Sequence, residues 1–458
     1  MQFAGAREMD YLTEVAEFAA GFKVQDLPPE VIARTRLIVA DCVGAIGGGA
    51  AEPEVQALAA RPGMAGSGAA LLIGTGATAH PAQAALVNGT AGTWLEMDEG
   101  NQFCKGHPGM HTFPAAFAFA QSIGASGADF LAAVAIGYEV GARVGIATTL
   151  RPSMHPHGTW GTICAAVAVQ RLAGRDATGM REALNIAANL TLATSRRTML
   201  EGGTVRNLFA GVSNQMGILT NDMVEAGFCG EIDGISHVFG KVVSDTFNEA
   251  AMTEALGSHW EVMRNYFKLH SCCRYNHAAL DALAVIATQH PGALDPARIA
   301  RVAVESYSLA AELDDPRPRN TLAGKFSVPF AVATTLINRS SDVGSFTWDK
   351  ITDPAILDLA ARVSLREDPA MTAELPNRRP AKVTVTLTDG ASLAARTETN
   401  RGDWADPYPR EEIRAKYLSL TARLWPEAAA AAVWDEIMTL ETRADLTSFG
   451  ALMHQAAN

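Results

Sequence analysis

Four short segments gather the residue types that move protons and bind anions, the first three of them at Gly- or Pro-punctuated places near a helix end. The first runs from Glu96-Met97-Asp98-Glu99-Gly100 to Lys105-Gly106-His107-Pro108, joining three carboxylates to a histidine, with His111 just beyond. The second, His155-Pro156-His157-Gly158-Thr159, is expected to open an Ala-rich helix whose free N–H groups and dipole favour a bound carboxylate. The third, Gly202-Gly203-Thr204-Val205-Arg206, puts an arginine in the first turn of a helix. It opposes the dipole there, which suggests a clamp for an anion. The fourth, from Tyr266-Phe267-Lys268 through Cys272-Cys273-Arg274 to His277, packs cations, thiols and hydroxyls into an apolar frame. Taking a proton from a carbon beside a carboxylate needs a base that works near neutrality and fixed positive charge for the growing enolate. Imidazole with Arg and Lys supplies both.

Each segment also has a plainer explanation. Glu96 to Glu99 could be a solvated helix end, His107 a loop residue, and Arg206 a surface arginine. The His155-X-His157 pair lacks a Glu or Cys partner at a recognised metal-site spacing, so no metal is expected. Cys272 and Cys273 fit a buried pair of structural thiols better than a nucleophile.

The elements that must position these residues are mostly helices. Periodicity and stop signals predict helices over 54–60, 81–97, 112–123, 127–149, 158–172, 180–194, 205–226 and 245–257. After about His277 the pattern changes: 299–308 reads as a strand, and 381–387 with 392–399 as two strands joined by an Asp389-Gly390 turn. Helices at 329–337 and 354–361 lie between, and 411–425 and 428–443 return to helix. The expected organisation is a helical domain over 1–270, completed by 400–458, carrying a smaller α+β domain over 271–399. The fourth segment falls at that boundary, where small-molecule clefts form.

With 458 residues, 48% of them hydrophobic and 19% charged, the chain can bury a large core and is not disordered. A net charge of -12 without a basic stripe argues against nucleic acid as a partner. Glu139 and Arg143 interrupt the longest apolar run, so no membrane span is expected. Glu8, Asp10, Glu14 and Glu17 within the N-terminal stretch argue against a signal or transit peptide, leaving a cytoplasmic protein with reduced thiols at its six cysteines. Gly47-Gly48-Gly49 follows a helix and reads as its terminator, not as a dinucleotide fingerprint.

In their order and separations the four segments resemble the MmgE/PrpD family, which includes 2-methylcitrate dehydratases, cis-aconitate decarboxylases and iminodisuccinate epimerases. The likeness extends to Asp26-Leu27-Pro28-Pro29-Glu30-Val31, Asp41-Cys42-Val43-Gly44, Lys325-Phe326-Ser327-Val328-Pro329-Phe330 and Gly402-Asp403. It implies a large helical domain with a smaller α+β lid, a homodimer, and a cofactor-free cleft between the domains. It also implies that Glu96 and Asp98 stand at the acids of an Asp-X-Asp-Asp run, and that His107 matches the His of a His-Pro pair. His155 then precedes the Gly-Thr helix start, and Lys268 and His277 match the Lys and His of the interdomain segment. Arg206 departs from the resemblance, standing where many relatives have Lys, and Glu96 and Gly100 replace the usual Asp and Thr. Arginine does not release a proton near neutrality.

The leading expectation is a cofactor-independent lyase of a small di- or tricarboxylate, like 2-methylcitrate dehydratase. His107 and His155 transfer protons, Lys268 and Arg206 bind carboxylate and stabilise enolate, and Glu96 with Asp98 orients them. His157, His277 and Cys273 complete the substrate site. An epimerase, a decarboxylase and a non-catalytic carboxylate-binding protein are the alternatives, with a metal hydrolase as a remote rival.

Overall fold

Small side chains set how closely the helices of the first half approach. Gly89 on the Pro81–Trp94 helix meets Gly211 on the Val205–Glu225 helix so tightly that a Cβ at Gly89 would stand 2.8 Å from the Gly211 Cα. Near the end of the same crossing, the Thr93 hydroxyl donates to the Asn207 carbonyl at 2.8 Å. The C-terminal end of one helix is thus fixed beside the N-terminal end of the other, which brings Arg206 to the acid run that begins at Glu96.

The computed structural model describes residues 10–66 and 68–457, and it is mainly helical with one mixed four-stranded sheet in the C-terminal half. Residues 1–9 of the N-terminal stretch, including Glu8, lie outside the described residues. The first helix, Tyr11–Gly21, is capped by Asp10, whose carboxylate accepts from the Thr13 amide. At the centre of the helical region, Gly127–Ala147 packs between Pro108–Ile123 and Gly161–Leu172. By length and hydropathy alone that central helix could cross a bilayer, contrary to expectation. However, 94% of its most apolar window is buried inside the protein, and Arg143 donates to Glu139 there at 2.6 Å.

The helices Arg410–Thr421 and Glu427–Ile437 return to this same core, where Ile413, Tyr417 and Trp434 join Val39, Val43 and Ile46. A separate core of Leu280, Val302, Phe330 and Val383 lies under the sheet. The sheet runs Ser392–Thr397, Ala381–Leu387, Ile299–Ser306, Val363–Glu367, with only the last pairing parallel. The hairpin turns at Gly390, whose φ of +90° suits glycine.

Several boundaries differ from expectation. The helix expected at 245–257 is instead the strand Ser244–Phe247, paired with Thr148–Leu150, and a four-residue helix Ala250–Thr253. The first strand of the sheet ends at Ser306 because a short helix, Ser308–Ala311, follows directly. The strand Val363–Glu367 was not expected: it is an edge strand with only Val363 buried, so it shows no alternation. The helix expected at 112 begins at Pro108, directly after His107.

Candidate active site

The acid run leaves its helix abruptly. Leu95 caps Pro81–Trp94, and Glu96 follows with φ +54°, a left-handed backbone that costs a non-glycine residue on the order of 1 kcal/mol. Four anchors hold it. The Lys268 ammonium donates to the Glu96 carbonyl at 3.1 Å and lies 3.4 Å from Oε2, while the Arg206 guanidinium grips Oε1. Lys416 donates to both the Met97 carbonyl and Asp41, and Asp41 accepts the Glu99 amide at 2.8 Å. Glu96, Asp98 and Glu99 are all buried, so the run is not a solvated helix end.

Four histidines meet next to this run, and their hydrogen-bond partners fix which nitrogen carries the proton in each neutral ring. The His107 Nδ1–H donates to the Glu99 carbonyl at 2.6 Å, with Asp98 Oδ2 alongside at 2.9 Å, which leaves Nε2 as the basic nitrogen. His155 is the opposite tautomer. Its Nδ1 accepts the His157 amide at 3.0 Å, so its proton is on Nε2. His157 Nε2 accepts from Arg206 at 3.4 Å, and its ring centroid lies 4.4 Å from that of His107 and 4.9 Å from that of His155. His111 is bonded through Nδ1 to the Ser213 hydroxyl at 2.6 Å.

The electrostatics separate these rings. Burial raises Asp98, but the charges of His107, Lys268 and Arg206 outweigh it and hold the carboxyl below its usual range. An ionised Asp98 is therefore on hand to balance a protonated His107. Burial, then the charge of Arg206, pushes His155 and His157 well below the usual imidazole value. Burial and then His107 push His111 to about 3. Of the four, His107 alone has a carboxylate within ion-pair distance, and the other three are held neutral.

These groups line a cleft of about 50 Å³, whose opposite side comes from the C-terminal half: Cys273, Arg274, Tyr275, Phe326 and Arg379. The Arg206 guanidinium stacks on Phe326, 5.2 Å from its centroid. Arg274 is held by Asp403 at 2.9 Å, and Arg196, also lining the cleft, by Glu312 at 2.8 Å. Burial raises the Cys273 thiol, a state unlike an activated nucleophile.

Glu96, His107, His155, His157, Arg206 and Cys273 are thus brought together at the cleft. Asp98 does not line the cleft and lies against His107 Nδ1 at 2.9 Å. Three expectations change. Lys268 does not line the cleft: fully buried, it supports Glu96 and stands 3.8 Å from Asp98. His277 is also behind the wall, its Nε2–H donating to the Cys272 carbonyl at 3.2 Å while Nδ1 accepts from Arg274 at 3.3 Å. And the helix after His155 begins only at Gly161, so His155 acts as a side chain and not as part of a helix-end anion site. Arg274 stood within the fourth segment without an assigned role, and Arg196 and Arg379 had not been singled out. Only the dipeptide Arg378-Arg379 before a predicted strand could have flagged the last.

No group of three or more His, Cys, Asp or Glu among the described residues is placed to hold a metal. Fold and site together present a mainly helical protein with an arginine-rich cleft. The MmgE/PrpD N-terminal domain matches residues 13–247 and the MmgE/PrpD C-terminal domain residues 270–442, so the chain belongs to the MmgE/PrpD family, enzymes acting on carboxylate substrates. Its relatives include a cis-aconitate decarboxylase of Aspergillus terreus, 23% identical with 96% of this chain and 95% of the relative covered. The cis-aconitate decarboxylases of Homo sapiens and Mus musculus are each 24% identical, over 79% and 75% of this chain and 75% and 72% of their own lengths.

Proposed function

We propose that the protein is a cofactor-independent hydro-lyase of a small di- or tricarboxylate, with His107 as its one proton carrier. The observation that carries this reading is the contrast among the rings. His107 has a basic nitrogen at the cleft and an ionised Asp98 behind it, whereas His155 and His157 lie beside the Arg206 charge and remain neutral. His107 Nε2 takes the proton from the carbon next to a carboxylate. The C–H electron pair forms the double bond, and the C–O bond to the hydroxyl breaks. The His107 imidazolium returns the proton to the departing oxygen, which leaves as water. The Nε2–H of His155 polarises that oxygen as a neutral donor, as buried neutral imidazoles can. Arg206 holds the carboxylate that becomes enolate-like. This refines the expectation of two proton-transferring histidines.

Two-base epimerisation fits less well, because it needs a second group able to hold a proton on the opposite face. Decarboxylation is the second reading, favoured by the similarity to cis-aconitate decarboxylases. There the same His107 imidazolium would protonate the carbon that loses carbon dioxide.

The test is a screen of 2-methylcitrate, cis-aconitate, iminodisuccinate and related acids in heavy water. Absorbance near the ultraviolet edge, carbon dioxide and deuterium uptake are recorded together. A new double bond without carbon dioxide is the expected result. Carbon dioxide released one for one with substrate consumed would replace dehydration by decarboxylation. Deuterium uptake without consumption would make the protein an isomerase. Affinity without turnover for any of these acids would make it a binding protein.

A further inference from the structure

Four arginines of the described residues are buried: Arg143, Arg206, Arg274 and Arg379. Arg143, Arg206 and Arg274 each touch a carboxylate, namely Glu139, Glu96 and Asp403. Arg379 touches none among the described residues. It is 4% exposed, its Nη2 donates to the Gln102 carbonyl at 3.1 Å, its face lies 5.4 Å from the Tyr275 centroid, and its Nε has no partner. A guanidinium taken out of water without a counter-charge is strongly disfavoured unless an anion arrives to complete it. Arg379 lines the same cleft as His107 and Arg206, and it comes from the segment leading into the sheet strand Ala381–Leu387, whereas Arg206 comes from the helical half.

We propose that Arg379 is the receptor for a second substrate carboxylate, one remote from the reacting carbon, and that it restricts the cleft to acids with at least two carboxylates. The inference rests on the polycarboxylate reading above for the identity of the anion, though not on which reaction follows. One carboxylate meets Arg206 in the helical wall and the other meets Arg379 in the opposite wall, so a substrate spanning both draws the two walls together. An anion with a single carboxylate engages one wall only.

Binding by calorimetry, with the unreactive acids tricarballylate, succinate and propionate, tests this on the full chain. Arg379→Met is expected to lose roughly 10- to 100-fold in affinity for the two polycarboxylates and to leave propionate unchanged, the size expected for a charge-assisted pair. Arg379→Lys should recover part of the loss. Thermal melting supplies the readout that a structural role would not produce. With no carboxylate partner to strand, Arg379→Met without ligand should melt no lower than the wild type, while the rise in melting temperature given by tricarballylate disappears. Unchanged polycarboxylate affinity in Arg379→Met would overturn the proposal, as would an equal loss for propionate or a lowered melting point without ligand. Polycarboxylate binding that depends on Arg379, in a protein that turns over none of the screened acids, would retain this subsite and sink the lyase reading instead.

Discussion

Two histidines in this molecule each contact a hydrogen-bonding oxygen and a carboxylate, in very different surroundings. His107 faces both the Glu99 carbonyl and Asp98 through Nδ1 alone, which leaves Nε2 uncommitted at a cleft of about 50 Å³. His270 lies 2.5 Å from the Ser341 hydroxyl through Nδ1 and 3.1 Å from Asp281 through Nε2, beside a cavity of about 520 Å³ walled by Leu280, Leu283 and Leu336. The larger cavity offers space, but its only Lys or Arg, Arg339, is exposed. The smaller one faces buried guanidiniums across a low-dielectric gap, where fixed charge acts most strongly. Under the proposed function, reactivity follows buried charge and not cavity volume.

That contrast can be broken at its strongest point first. His107→Ala should lower kcat by roughly 10²- to 10⁴-fold, the usual reach of general acid–base catalysis, with ligand affinity kept within a few-fold. His270→Ala should leave kcat within a few-fold, and steady-state kinetics with the acid found by the screen decides between them. Next comes stability. Arg206→Ala leaves Glu96 buried without its strongest partner and should cost roughly 3–5 kcal/mol in urea unfolding, whereas Arg339→Ala should stay within about 0.5 kcal/mol.

A smaller effect lies in the pH dependence. Burial, then the charge of Asp41, pushes the Glu99 carboxyl up to about 8. Between the unfolded value near 4.5 and about 8 the folded state therefore binds the extra proton. The stability this group contributes is complete below that window and declines as pH rises through it. Glu99→Gln, which retains an acceptor for the Gly109 amide, should melt with a shallower decline between pH 5 and 8 than the wild type. An equal decline in both proteins would remove Glu99 as its source. The smallest expected effect is Ser341→Ala, which should leave turnover of the carboxylate substrate unchanged; a large loss there would erase the distinction between the two cavities.

Much of the candidate site was legible because Glu96, His107 and Arg206 stand where helices start or stop, and such ends carry Gly, Pro and polar signals that read locally, as the Pro156 and Gly158 beside His155 also do. The hairpin ending at Gly390 was legible for the same reason. Arg379 was not, since its meaning depends on Gln102, 277 positions away, and on the carboxylate that is missing beside it. Lys268 and His277 show the opposite limit. Their residue types suit a binding site, but only packing shows that Lys268 supports Glu96 from below and that both nitrogens of His277 are engaged. At 245–257 helical character in the residues gave way to pairing with Thr148–Leu150, a tertiary contact that overrides propensity.

The ion pair of Lys416 with Asp41 joins residues 375 positions apart, and through the Met97 carbonyl it also fixes the turn that presents Glu96 and Asp98. That link sets an order of events during synthesis. The ribosome releases both walls of the cleft well before the Arg410–Thr421 helix that braces one of them. A growing chain therefore carries its acid run unbraced until that helix has emerged.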